Sequence, residues 1–152
     1  MGREDGRGAQ GRGEGLSRNK YVGPRSCYAI NEGAYVEDLP GFWDELPGVL
    51  ALILRDARRG FSYGDNCEVI PFDERRALSR GVYAAALASP GRPEEVRREL
   101  QDLVREALET GRVPPGLKVR LAGPRARELA DELVSLGIVR RRDVSVRVAE
   151  RA

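Results

Sequence analysis

The residues best placed to do chemistry in this chain are arginines near its C-terminal end. Leu117, Val119 and Leu121 are apolar at every second position, and so are Val144, Val146 and Val148. In a strand this spacing sends one set of side chains to the core and the other to the opposite face. The opposite face then carries Lys118, Arg120, Ser145 and Arg147, with Arg140, Arg141 and Arg142 leading into the second run. A guanidinium presents a planar fork of donors that matches phosphate oxygens, so a stripe of arginines on an open sheet suits a polyanion.

Charge along the chain points the same way. The formal net charge is only +2, but residues 1–31 carry +3, residues 32–111 carry −6 and residues 112–152 carry +5. A basic C-terminal unit is the electrostatic footprint of phosphate binding. Modules that hold single strands add aromatic planes for base stacking, and Tyr28 and Tyr35 are the candidates. An ordinary solvated sheet face would use the same residues, balanced by Glu128, Asp131, Asp143 and Glu150.

Other chemistries are less well supplied. The chain contains no histidine, which removes imidazole acid–base catalysis, Ser–His and Cys–His dyads and His-ligated metals. Two cysteines cannot complete a four-ligand zinc site within one chain. Carboxylates gather at Glu32, Glu37, Asp38, Asp44, Glu45 and Asp65, a supply from which a Mg²⁺-dependent phosphodiesterase could be built. Their spacing matches no metal loop, and acidic groups near helix starts are expected as favourable partners of the helix dipole. The expectation is therefore a non-catalytic protein with no cofactor and no metal.

The elements that must position these residues follow from periodicity and punctuation. Ser26 to Ile30 reads as a first strand, and Phe42 to Arg59 as a helix stopped by Gly60. Cys67 to Ile70, closed by Pro71, reads as a second strand, and Asp73 caps a helix running through Ala88. Pro93 opens a stronger helix whose stripe is Val96, Leu100, Leu103, Val104, Ala107 and Leu108, ended by Gly111. That stripe is core material, or else a docking surface for a protein partner or a second copy. The C-terminal unit is strand, helix (Leu129, Leu133, Val134, Leu136), strand. About four short strands in one sheet against about four helices make an α/β class, α+β sandwich domain.

Residues 1–19, Gly/Arg-rich with nothing to build a core, are expected to be a disordered tail, and a single domain is expected over residues 20–152. The longest apolar run, Val49 to Leu54, is far shorter than the roughly 18 residues of a membrane span. With no secretory leader in view, the expectations are a soluble cytoplasmic protein and two free thiols at Cys27 and Cys67. Arginine far outnumbers lysine while Asn and Gln are scarce, a composition that suits a GC-rich, thermophilic source.

In size, element order, basic sheet face and composition, the stretch from Ser26 to Glu150 resembles the archaeal single-stranded DNA-binding proteins of the ThermoDBP type and their shorter relatives. That resemblance implies single-stranded DNA or RNA as the partner. It transfers no site residues, because it rests on architecture rather than on a shared motif. A protein-binding adaptor or assembly subunit is the alternative.

Overall fold

A computed structural model describes residues 21–77 and 93–148. The glycine-rich opening, the expected continuation of a helix to Ala88 and the Val96 side chain lie outside the described residues. The elements are α1 (Cys27–Glu32), β1 (Tyr35–Val36), α2 (Phe42–Arg59), β2 (Phe61–Tyr63), β3 (Val69–Pro71), α3 (Glu74–Ala77), α4 (Pro93–Thr110), β4 (Val119–Ala122), α5 (Ala126–Ser135), a 3₁₀ turn (Arg141–Asp143) and β5 (Val144–Arg147). The chain is an α+β fold, as its patterning predicts. Its strands form two sheets rather than one: a three-stranded sheet in the order β1-β4-β5, and a separate β2-β3 hairpin.

The expected first strand is a helix. Ser26 accepts a hydrogen bond from the Ala29 amide (3.3 Å) as N-cap of α1, and Gly33 closes it at φ 70°. This cap-to-glycine frame spans only six helical residues, too few to hold alone, so burial of Cys27 and Tyr28 must help fix it. The first strand follows the helix after two intervening residues, at Tyr35.

β1 pairs antiparallel with β4, and β4 pairs in parallel with β5 across the connecting helix α5. Val36, Val119 and Leu121 are buried toward the helices; a Cβ on Gly48 of α2 would sit 3.0 Å from Val36. α2 and α5 lie side by side against this face, linked by Arg55 of α2 and Glu132 of α5. α4 packs on α2, with Leu100, Val104 and Ala107 buried and Leu103 and Leu108 partly buried against the core, so the described part of the stripe predicted on that helix is core. Among the described residues no helix is long and apolar enough to cross a membrane.

Cys27 and Cys67 form a disulfide, contrary to the free thiols expected of a lone pair without a secretory leader in view. The fold brings the start of α1 onto the turn of the β2-β3 hairpin, a contact between residues 40 apart that composition does not reveal.

Candidate nucleic-acid interface

Alternation in β4 and β5 does what the sequence predicts. Val119 and Leu121 point inward, while Arg120 is paired in register with Ser145, and Ala122 with Arg147, on the outer face. Tyr35 joins the Ala122–Arg147 row from β1, and the Glu37 amide extends the ladder by donating to the Arg120 carbonyl (3.0 Å). The outer face thus has two rows, Tyr35–Ala122–Arg147 and Glu37–Arg120–Ser145, about 6.6 Å apart along the strands. Ser145 and Arg147 are exposed, and Tyr35 and Arg120 are half-buried.

The predicted basic residues are not equivalent. Lys118 Nζ lies 3.1 Å from Asp143 Oδ1, and Arg140 reaches Asp143 Oδ2 at 3.1 Å. The hydrogen bond from Lys118, seconded by Arg140, holds the Asp143 carboxyl below the usual carboxylate range. Arg141 pairs with Asp131 at 2.6 Å, directed back over α5 rather than toward the sheet rows. Arg147 donates to Glu37 at 3.2 Å. Arg120 and Arg142 alone of the six have no acidic partner among the described residues. With Lys118, Asp143, Val144 and Ser145 they line a shallow depression of about 240 Å³, in which three cations meet one carboxylate.

Tyr28 is the sequence-predicted residue that does not belong to this face. It is fully buried on α1, with its hydroxyl donating to Asp56 and its ring set edge-on to Tyr63. It offers no plane to a base; the error follows from reading residues 26–30 as a strand. Tyr35 remains as the aromatic of the face.

The carboxylates named as a catalytic alternative do not form one group, although Asp38 and Asp44 lie beside Glu45. Glu37 is on the sheet face, Asp65 faces Arg76 (3.5 Å) and Glu45 is buried, accepting from the Leu39 amide (2.9 Å). Glu32 goes elsewhere, into a group that sequence reasoning missed. It accepts from the Tyr63 hydroxyl and lies 2.6 Å from the fully buried Arg55, which also faces Glu132 at 3.6 Å. Arg59 completes the group at 3.4 Å from Glu132, its guanidinium over the Phe61 ring. The group borders a cleft of about 370 Å³ between α1, the hairpin and α5. Its one sequence signal is Arg55-Asp56 directly after the apolar run of α2, two charges at positions that remain buried. Asp56 is pushed by burial from 3.8 up to about 7. Among the described residues no three His, Cys, Asp or Glu side chains gather closely enough to hold a metal ion.

Set against protein-family models, curated proteins and solved structures, the chain matches none of them.

Proposed function

We propose that this domain is a non-catalytic nucleic-acid-binding protein that holds a single strand of DNA or RNA along the outer face of the β1-β4-β5 sheet. The observation that carries the reading is the depression around Arg120 and Arg142, two guanidiniums without acidic partners among the described residues, beside an exposed serine hydroxyl. Phosphates dock there, with Lys118 at the rim and Arg147 reached once Glu37 yields it. Arg140 and Arg141, engaged with Asp143 and Asp131, add charge at longer range. Tyr35, in the row of Arg147, supplies a stacking plane. A cytoplasmic setting fits this role, and the disulfide agrees with it if the source is a hyperthermophile, whose intracellular proteins are disulfide-rich.

A second reading, a protein-binding module, draws on Ile30 and Val69, which are 67% and 64% exposed on α1 and β3. Salt separates the two. Titration of a fluorescently labelled oligonucleotide at several salt concentrations should give a log K that falls linearly with log salt, with the single strand bound more tightly than its duplex. No binding at low salt would overturn the nucleic-acid reading and leave the protein-binding one.

A further inference from the structure

The Cys27–Cys67 disulfide joins two pieces of structure that are each marginal alone. α1 has six residues, below the length at which a helix persists in water, and the β2-β3 hairpin has three residues in each strand. Beyond the disulfide, the helix and hairpin are tied by Asn31, whose side-chain amide donates to the Cys67 carbonyl (2.9 Å), by Tyr63 to Glu32, and by the Tyr28–Tyr63 ring contact at 5.2 Å. Cys67 sits at φ 62°, a backbone conformation that an L side chain holds only when its surroundings impose it. α1 and the hairpin are also two of the three walls of the cleft bordered by Glu32, Tyr63 and Val69 on one side and by Leu129 and Glu132 of α5 on the other.

We infer that Cys27–Cys67 is a redox-sensitive clasp that sets the width of this cleft, opened by a small dithiol reductant. Cys27 is 1% exposed while Cys67 is only partly buried, so the reductant's thiolate attacks the Cys67 sulfur and Cys27 leaves as the thiolate. The second thiol of the reductant then attacks its own sulfur in the mixed disulfide and releases Cys67. Two electrons and two protons pass to the protein, which gains two thiols, and the reductant becomes a cyclic disulfide. Without the covalent link Cys67 relaxes from the left-handed conformation, its carbonyl leaves Asn31, and the hairpin swings away from α1. The clasp is separate from the sheet face, and its failure would leave the nucleic-acid reading untouched.

Hydrogen exchange read by mass spectrometry on the full chain tests it, in the oxidised protein, in the protein reduced with dithiothreitol and in the Cys27→Ser/Cys67→Ser variant. Thiol trapping fixes the redox state of each sample. The expected result is no trapped thiol before reduction, two after it, and amides of residues 61–71 exchanging faster in both thiol-reduced and variant proteins, by about tenfold more than any acceleration shared with β4 and β5. Equal exchange at 61–71 in the oxidised and reduced forms would overturn the clasp. So would two trapped thiols before reduction, or an acceleration at 61–71 no greater than that in β4 and β5, which would make the bond a global staple alone. If the variant does not fold, the oxidised and reduced wild type decide alone.

Discussion

Arg147 and Glu37 meet across the full width of the three-stranded sheet: the guanidinium of β5 donates to the carboxylate that follows β1, at 3.2 Å, and the pair spans β4 between them. Ala122, on the same outer face, has no exposed surface. The pair is partly open to water, Arg147 being 60% and Glu37 24% exposed, so it contributes little to stability. Its effect is on charge, because it places an acidic group beside Arg120 and engages one of the arginines of the face.

Replacing Glu37 with Gln removes that acid and releases Arg147. Binding of a single-stranded oligonucleotide should become tighter, and the slope of log K against log salt should steepen by up to about 0.7, the value of one added phosphate contact on a single strand. Fluorescence anisotropy across a salt series measures both. Unchanged affinity would show that Arg147 takes no part in binding.

The alternation of Leu117–Leu121 and Val144–Val148 was enough to place Arg120, Ser145 and Arg147 on one face, because a period of two leaves a half-buried strand no other choice. The helices over Phe42–Arg59 and Pro93–Thr110 were equally legible, each with its stop at a glycine. Ser26–Ile30 misled for a physical reason: a five-residue run holds too few repeats to separate a helix from a strand, and tertiary burial of Tyr28 decides between them. The pairings of Lys118 and Arg140 with Asp143, and of Arg147 with Glu37, depend on folded proximity, so alternation alone overstated the number of uncommitted cations. The disulfide and the Glu32–Tyr63–Arg55 group are long-range contacts of the same kind.

The disulfide closes a loop of 40 residues, and such a cross-link stabilises mainly by restricting the unfolded chain. Reduction should lower the thermal midpoint by roughly 8–16 °C, from about 4 kcal/mol of lost loop-closure entropy in a chain of this size. Calorimetry with and without dithiothreitol reads this directly, and an unchanged midpoint would show that the link constrains nothing.

Stability should also depend on pH through Asp56 and Glu45. Burial raises their carboxyls from 3.8 and 4.5, respectively, to about 7. The folded state then holds protons that the unfolded state releases, so the two groups favour folding fully below about pH 4 and lose that contribution as pH rises to about 7. Denaturant unfolding from pH 4 to 8 should show this decline, and Asp56→Asn, which cannot ionise, should make it shallower, leaving the part due to Glu45. An equally steep decline in the variant would assign the effect to other groups.

Gly123 makes the turn between β4 and α5 possible. It sits at φ 116°, and a Cβ there would lie 2.7 Å from the Gly33 carbonyl oxygen, a backbone atom that cannot move aside cheaply. Gly123→Ala should cost about 2–3 kcal/mol in urea unfolding, since both the dihedral and the contact must be relieved. A cost below about 0.5 kcal/mol, the range of ordinary surface changes, would show that this close approach is not required.

If Arg120 and Arg142 receive phosphates, the salt dependence of oligonucleotide binding must change in the Arg120→Ala/Arg142→Ala variant. Neither arginine has an acidic partner among the described residues, so their loss should leave the fold intact, as circular dichroism would verify. Two lost contacts on a single strand should reduce the slope of log K against log salt by about 1.4 and weaken binding at every salt concentration. Wild-type affinity and slope in the folded double variant would contradict the account and put the binding surface elsewhere.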